Sequence, residues 1–358
     1  MIKHFPGVAL TARRSSRGGR GMRHLQRSLA VGILILSSLA VSSAAAVTLN
    51  PGDLIVAHQS LSEAGIVRID PLTGAQTVIT SGRLLQEPRG IAIDGAGQII
   101  VADQAVGGNG AILRVDPMTG TQTVIAAGGT FIDPFGIAID PAGQLIITDR
   151  SGGGGLFRVD PLSGAQSVIT TGGFLRTPYG VAVDSLGRYV VADDPQGTVA
   201  NPGPGRLVRV DPVTGAQTLI SSGGHPFFVA IDGAGDFIVT DRGDTVHSVV
   251  RIDATTGLET LLSVVTGGEA YGVAIDSTGQ IITADNWNAR ILGIDPLTGV
   301  QSVLSSDGFL TDPTGIAIVP NAVPEPGTLL LLGSGLAGLA RVTWSRRWAT
   351  RARRRRGK

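Results

Sequence analysis

Aspartate recurs at one fixed place in a repeated apolar phrase, and carboxylates in such a pattern could act as general acids or bases in catalysis. Each of five aspartates ends a run such as "IIVAD" or "LIITD". They are Asp103, Asp149, Asp193, Asp241 and Asp285. A group that returns once per repeat is explained more simply by a structural role, in which the carboxylate accepts backbone N–H bonds of a turn or loop. We therefore predict no catalytic residue among them.

Departures from this repeat supply the other chemically active side chains. His58 replaces the aspartate in the first copy, and Arg150 and Arg242 follow it in two others. His225 and His247 lie in connections between apolar runs. Scattered histidines are more often surface polar groups than metal ligands, and a chain without cysteine has no thiolate ligand or thiol nucleophile. We predict no metal site and no cofactor.

The phrase "RIDPLTGAQTVI" and its variants occur six times, and this repetition predicts the fold. The aspartates of the phrase follow one another at intervals of 46, 44, 51, 42 and 42 residues. They are Asp70, Asp116, Asp160, Asp211, Asp253 and Asp295. These intervals are typical of β-propeller blades. A second phrase, as in "GIAIDGAGQIIVAD", alternates with the first.

Each repeat contains four short β-rich runs, which we label A (as in "GIAID"), B ("QIIVAD"), C ("ILRVDP") and D ("AQTVI"). Asp-x-x-Gly joins A to B, and Asp-Pro-x-Thr/Ser-Gly joins C to D, with Pro setting φ and Gly taking the left-handed position. The repeats begin at a B run and end after an A run, so both ends complete the last blade. We predict an all-β, six-bladed β-propeller over residues 47–320, with four-stranded blades closed by the N- and C-terminal strands.

Chain direction predicts two unlike faces of this ring. The B–C loops and D-to-A connections meet at one face, the top face, and they vary between copies. The A–B and C–D turns meet at the other, the bottom face, and are nearly the same in every copy. Variable loops on a rigid scaffold usually carry binding, so we predict the functional site at the top face.

If strand A is innermost, the residue before each "GIAID"-type run rims the central channel. Those residues are Arg89, Phe135, Tyr179, Phe227, Tyr271 and Thr314. Aromatic rings at a channel mouth can stack on sugar faces or hold a peptide, although they can equally pack between blades. Trp287, the only tryptophan within 47–320, is a second candidate anchor with the same alternative. We predict Arg89, Trp287 and the four aromatic rim residues as ligand-binding residues.

The repeats resemble NHL-repeat and streptogramin-lyase-like propellers over about residues 50–320. "IITADNWNARILGID" carries the NHL likeness through Asp285, Asn288 and Arg290-Ile291, and "RIDPxTG" carries the other. The resemblance implies the fold more than a function, because propellers host many activities. A streptogramin lyase implies a His base with a Glu and a metal, and a gluconolactonase-like hydrolase implies an acidic and Asn metal cluster. Neither set can be assembled here at recognisable positions.

Residues 1–46 have the order of a secretory signal peptide. A basic stretch precedes the apolar run "LAVGILILSSLAVSSAAAV", and small residues close it at Ala44-Ala45-Ala46. We predict cleavage after Ala46, with Met22 as an alternative start. An amphipathic or core N-terminal helix is the alternative interpretation.

Residues 321–358 contain "VPEP" (Val323, Pro324, Glu325 and Pro326), then an apolar segment from Thr328 to Trp344, then an arginine run. Seventeen helical residues span roughly 25 Å, a little under a bilayer core of about 30 Å, so the segment predicts a transmembrane helix. The positive-inside rule keeps the arginines cytoplasmic and the repeats on the exported side.

This order closely resembles the PEP-CTERM sorting signal of Gram-negative bacteria. The resemblance implies that an exosortase-type membrane protease processes the membrane-anchored precursor, which then reaches the cell surface or the extracellular space. A plain, retained membrane anchor is the alternative.

The charge distribution excludes one class of partner. Residues 1–46 and 341–358 hold seven and nine basic residues and no acidic one, which leaves 13 arginines against all 28 acidic residues between them. An acidic middle segment is a poor match for nucleic acid. We expect a non-enzymatic, exported binding or scaffold propeller that presents its top face to an extracellular polysaccharide or protein. The alternatives are a metal-dependent lactonase or lyase-type enzyme, and a surface component without a small ligand.

Overall fold

The computed structural model describes residues 47–59, 63–195, 203–243 and 246–321. These residues form 24 β-strands in six four-stranded sheets, which confirms the predicted all-β, six-bladed propeller. The predicted signal peptide at 1–46 and the predicted sorting and transmembrane segment from residue 322 onward lie outside the described residues. Within the described ranges no helix has the length and apolar character that a membrane crossing requires.

Every blade has the strand order A-B-C-D. The A strands are β4 (Pro88–Ile93), β8 (Pro134–Ile139), β12 (Pro178–Val183), β16 (Pro226–Ile231), β20 (Ala270–Ile275) and β24 (Pro313–Ile318). The B strands are β1 (Leu54–His58), β5 (Ile99–Asp103), β9 (Leu145–Asp149), β13 (Tyr189–Asp193), β17 (Phe237–Asp241) and β21 (Ile281–Asp285). The C strands are β2 (Gly65–Ile69), β6 (Ala111–Val115), β10 (Gly155–Val159), β14 (Arg206–Val210), β18 (Ser248–Ile252) and β22 (Arg290–Ile294). The D strands are β3 (Gln76–Ser81), β7 (Gln122–Ala127), β11 (Gln166–Thr171), β15 (Gln217–Ser222), β19 (Glu259–Val264) and β23 (Gln301–Ser306). Among the fully described B–C loops, two contain a short 3-10 turn, at Val106–Gly108 and Ser151–Gly153.

The hydrophobic core is divided among the contacts between neighbouring blades. Every residue of each B strand is buried. A strand with a blade on each side has no solvent face, and it therefore reads as a continuous apolar run without alternation. The A strands of successive blades contact one another around the ring, which places strand A innermost.

The C–D turns hold the outer half of each blade together at the bottom face. In the first turn the Gly74 N–H donates to the Asp70 carbonyl oxygen at 2.8 Å, and Gly74 takes a φ of +71° that favours glycine. Asp70 Oδ1 accepts from the N–H groups of Leu72 and Thr73 at 2.9 and 3.1 Å. These N–H groups lower the pKa of Asp70. The turn aspartates of the other five blades share this lowered pKa, for the same reason.

The two ends of the described chain close the ring in one sheet. Strand β1 lies between β24 and β2, with Leu54 opposite Ile318 and Val56 opposite Ile316. Beyond the strands, the Gly52 N–H donates to the Val319 carbonyl oxygen at 2.9 Å. The predicted pairing of segments 53–58 and 315–319 is therefore confirmed.

Candidate functional site at the top face

Each A strand carries a β-bulge close to its top end. In β4, Pro88 pairs with Asp103 and Ile91 pairs with Val101, so two residues of β4 oppose one residue of β5. The same shift occurs in the other five A–B pairs. The predicted rim residue is the first of the two bulge residues in every blade. A bulge changes the direction in which a side chain points. The rim side chains therefore do not follow the regular alternation of a β-strand.

The four predicted aromatic rim residues meet in one central aromatic cluster. Ring centroids are 5.0 Å apart for Phe135 and Tyr179, 4.5 Å for Tyr179 and Phe227, and 4.7 Å for Phe227 and Tyr271. The Phe135 side chain is 1% exposed and that of Phe227 is 2% exposed, while Tyr271 is half-buried. Most of these rings meet edge to face or tilted, which is the favoured geometry for aromatic pairs.

Phe228 belongs to the same cluster, and the sequence reasoning missed it. Its ring centroid lies 5.4 Å from that of Phe227 and 5.8 Å from that of Phe135. The other five blades have glycine at this position: Gly90, Gly136, Gly180, Gly272 and Gly315. The inner strands approach so closely that a Cβ on Gly180 would lie 2.6 Å from the Phe228 Cα. The departure of "FVAID" from "GIAID" is the signal that could have identified Phe228.

Arginine guanidinium groups lie over the faces of these rings. The Arg242 guanidinium carbon is 4.4 Å from the Phe227 ring centroid, and that of Arg150 is 4.6 Å from the Phe135 ring centroid. Such cation–π contacts are favourable, more so when they are partly desolvated. The arginines also cover the two most buried rings. A ligand at the top face would therefore meet guanidinium groups before Phe135 or Phe227.

Carboxylates of neighbouring connections hold these arginines in place. An Arg150 guanidinium nitrogen lies 3.0 Å from an Asp133 carboxylate oxygen, and Arg242 forms an ion pair with Glu269, which is 3% exposed. Gln104 Nε2 donates to the same Asp133 at 2.5 Å. Charge-assisted pairs of this kind fix side-chain geometry as well as adding energy.

Arg89 is the predicted rim residue that joins two blades by hydrogen bonds. Its Nε donates to Gln104 Oε1 and its Nη1 donates to Gln59 Oε1, both at 2.8 Å. Glu87 lies 3.6 Å away. Burial lowers the pKa of Arg89. Thr314, its counterpart in the closing blade, is buried, and its hydroxyl oxygen lies 2.9 Å from the Pro88 carbonyl oxygen and 3.1 Å from that of Ala57.

The described part of the chain contains three histidines, His58, His225 and His247, each in a different strand or connection at this face. His225 Nδ1 is 3.1 Å from Asp194 Oδ2, which makes a histidine–carboxylate pair between two blades. His58 Nδ1 is 3.2 Å from Thr311 Oγ1, and burial lowers the pKa of His58. In the part of the chain that the structure describes, no three His, Cys, Asp or Glu side chains come together in a way that could hold a metal ion.

The aspartates that end the B strands accept backbone N–H groups of the D-to-A connections. Asp103 accepts from Gln86 at 2.8 Å, and Asp193 Oδ1 accepts from Arg176 at 2.6 Å. Asp149, Asp241 and Asp285 accept in the same way. Burial raises the pKa of Asp103 and Asp241, and it raises the pKa of Asp193 to about 6. This is the structural role expected for a group present in nearly every repeat.

Trp287 lies away from the aromatic cluster, on a separate top-face groove between two blades. The Trp287 side chain is 64% exposed, and its ring centroid is 5.1 Å from that of His247. The groove has a volume of about 230 Å³ and is also lined by Val246, Val264 and Val265. Exposed indole beside an apolar groove offers a flat apolar surface with one N–H donor.

Comparison with known proteins identifies one motif and supports the fold. Residues 322–347 match the PEP-CTERM protein-sorting motif, so the chain carries this sorting signal. No curated protein matches the chain.

Solved structures match the propeller. A chain of the nidogen/laminin complex is 15% identical, covering 75% of this chain and 98% of that one, with a TM-score of 0.62. A gluconolactonase from Xanthomonas campestris is also 15% identical, covering 76% and 89%, with a TM-score of 0.57. A virginiamycin B lyase from Staphylococcus aureus has a TM-score of 0.49 at 15% identity, covering 64% and 73%. At this identity the likeness is one of fold alone.

Proposed function

We propose that this exported protein, whose PEP-CTERM motif marks it for membrane-anchored sorting and exosortase processing, is a non-enzymatic propeller that binds an extracellular polysaccharide or protein through its top face. At the bottom face the A–B and C–D turns are nearly the same in every blade, whereas the loops at the top face differ from blade to blade. Function on repeat scaffolds usually lies where the copies differ.

The observation that carries this proposal is the layer of paired arginines and carboxylates over the aromatic cluster. Arg89, Arg150 and Arg242 are held by amides or carboxylates, so their remaining N–H donors are fixed in direction. Fixed donors and acceptors beside aromatic rings suit the hydroxyl groups and apolar faces of sugars, and they equally suit polar peptide groups. Among the predicted ligand-binding residues, the half-buried Tyr271 and the exposed Trp287 are the aromatic side chains that such a ligand would reach directly.

The buried rings contribute to the proposed site as support. Phe135, Tyr179 and Phe227 set the positions of the arginines above them. A site whose contacting groups are held by a packed layer underneath loses less conformational freedom on binding. Replacement of a supporting ring should therefore weaken binding by loosening Arg150 or Arg242.

The proposed route begins with removal of a signal peptide at residues 1–46. The segment 321–358 then tethers the propeller at 47–320 through a helix from Thr328 to Trp344, until an exosortase-type protease processes it near Pro324-Glu325-Pro326. Replacement of these three residues by alanine should leave the precursor in the membrane fraction. Unchanged processing and location would contradict this route.

Trp287 provides a direct test of binding. With Trp344→Phe and Trp348→Phe, Trp287 is the only indole in the chain, so a glycan or peptide that binds beside it should change its emission and protect it from acrylamide. Glycan-array binding should fall at least tenfold in Trp287→Ala or Tyr271→Ala. Leu162→Ala, at an exposed apolar residue of the bottom face, is the control. Equal binding by all three variants and the unsubstituted chain would refute the proposed site.

The rival function is a metal-dependent lactonase or lyase-type enzyme. The His225–Asp194 pair favours it, because a histidine oriented by a carboxylate can act as a general base. Metal content and melting temperature with and without EDTA separate the two functions. Stoichiometric calcium or zinc with a chelator-sensitive melting temperature would support the enzyme, whereas a metal-free chain with an unchanged melting temperature would support the binding protein.

A further inference from the structure

We propose that, in the tethered precursor, the bottom face of the propeller rests on the surface of the anchoring membrane through a ring of apolar turn tips, and the top face points away from it. This inference rests on the proposed tether. It adds an orientation and a contact surface that the sorting signal does not specify.

Strand polarity determines where the tether leaves the propeller. Strand β24 runs from Pro313 at the top face to Ile318 at the bottom face, and Val319 then donates its N–H to the Asp53 carbonyl oxygen at 2.9 Å. The last described residue, Asn321, follows at this edge, and the sorting motif begins at residue 322. The anchor therefore starts from the bottom face.

The distance between this face and the membrane is short. Nine residues separate Ile318 from Thr328, where the predicted membrane segment begins. Nine residues reach at most about 32 Å, even fully extended. The end of β24 at the bottom face therefore stays within about 32 Å of the point where the predicted membrane segment begins.

Five of the six C–D turns present a large apolar side chain at their tip on this face. Four of these side chains, Leu72, Leu162, Val213 and Leu297, are 90 to 94% exposed, and Met118 is 58% exposed. Only the turn at Thr255 lacks one. The first turn adjoins the exit of the tether, since Arg68 on the strand before it bonds to Asp53 at 2.8 Å.

The arrangement of these tips fits a flat surface. The five tips occupy equivalent positions in five of the six similar blades, so they lie at about the same height along the ring axis. A bilayer can meet all of them at once, whereas a pocket on a protein partner would engage one or two. Each of the six turns also carries an aspartate whose pKa is lowered by the turn N–H groups. These charges predict weaker contact with anionic lipid.

The absence of cysteine from the sequence allows single-site labelling of the full chain. One variant carries Leu162→Cys at a bottom-face turn tip, and the other carries Phe309→Cys at an exposed apolar site of the top face. Each variant is labelled with an environment-sensitive maleimide dye and reconstituted in phosphatidylcholine vesicles. Nitroxide-labelled lipid should quench the dye at residue 162 at least threefold more than at residue 309. In the Leu162→Cys chain, replacing Leu72, Val213 and Leu297 with serine should reduce that quenching at least twofold.

The outcomes separate this inference from the proposed tether. Membrane-bound protein with equal quenching at the two sites, or stronger quenching at residue 309, would refute the orientation and leave the tether standing. Unchanged quenching in the serine variant would refute the apolar contact. A chain that stays in the soluble fraction would refute both the tether and the inference.

Discussion

The buried carboxylate of Asp193 makes the stability of the propeller depend on pH in a direction that can be tested. Asp193 is fully buried, and its Oδ1 accepts two backbone N–H groups, from Arg176 at 2.6 Å and Thr177 at 2.7 Å. Its Oδ2 accepts no hydrogen bond from the described residues and lies 3.6 Å from Arg206. Burial therefore dominates and raises the pKa of Asp193 from 3.8 to about 6.

A raised pKa means that the folded chain holds this proton more tightly than the unfolded chain does. The associated stability is fully present below about pH 4 and is lost as the pH rises through about 6. A difference of roughly two pKa units corresponds to about 3 kcal/mol of unfolding free energy. Asp193→Asn keeps Oδ1 as the acceptor for both N–H groups and cannot ionise, so it should remove this loss.

The assay is urea unfolding of the parent chain and of Asp193→Asn at pH 4, 5, 6, 7 and 8. The variant should gain about 3 kcal/mol relative to the parent between pH 4 and pH 7. Asp103→Asn is the contrasting control, because both oxygens of Asp103 accept N–H groups and an amide nitrogen would oppose one of them at every pH. If parent and Asp193→Asn had parallel pH profiles, our explanation of this carboxylate would be wrong.

Three further substitutions test the packing around the channel. Phe228→Gly removes a half-buried ring from the aromatic cluster, so it should lower the free energy of unfolding by about 2 kcal/mol in urea denaturation. An unchanged free energy of unfolding would mean that the ring does not pack there. Gly180→Ala should lower the melting temperature, because the new Cβ would meet the backbone of Phe228. Gly95→Ala, at a glycine with open space around it, is the control and should leave the melting temperature unchanged. Equal melting temperatures for the two variants would contradict the close approach of the inner strands. Arg242→Met should lower the free energy of unfolding in urea denaturation by about 3 kcal/mol, because it leaves the buried Glu269 carboxylate unpaired. Adding Glu269→Gln to this variant should restore most of the lost stability. A loss of stability that the second substitution does not reduce would refute this pairing.

Repetition made the architecture predictable from the sequence. Because one phrase occurs six times, each blade confirms the strand order of the others, and the offset between the first B run and the last A run identified the closing pair β1 and β24. Local turn chemistry, such as the Asp70 and Gly74 contacts, follows from residue type alone.

The arrangement at the centre could not be predicted, because it depends on contacts between blades far apart in sequence. The six rim residues occupy the same bulge position in every blade, yet the bulge that re-aims them leaves no mark in a single sequence. The burial of Phe135 and Phe227 depends on Arg150 and Arg242 above them, and in the sequence these arginines differ from the repeat without indicating which rings they cover. Phe228 does leave a mark in the sequence, because the other five copies have glycine at its position, but the contact of its ring with Phe135 depends on the neighbouring blades.

Closure of the ring by β1 and β24 is the claim on which both faces, the proposed site and the orientation depend. Leu54 pairs with Ile318 on one side and with Ile69 on the other. Two double-cysteine variants that share Leu54→Cys can therefore compare the ring-closing pair with an ordinary pair of the same blade. Directly opposed residues in antiparallel strands lie about 4.5 to 5.5 Å apart, within disulfide range. We predict that mild oxidation links Leu54→Cys to Ile318→Cys as readily as Leu54→Cys to Ile69→Cys. A link in the second variant alone would show that the ring is open.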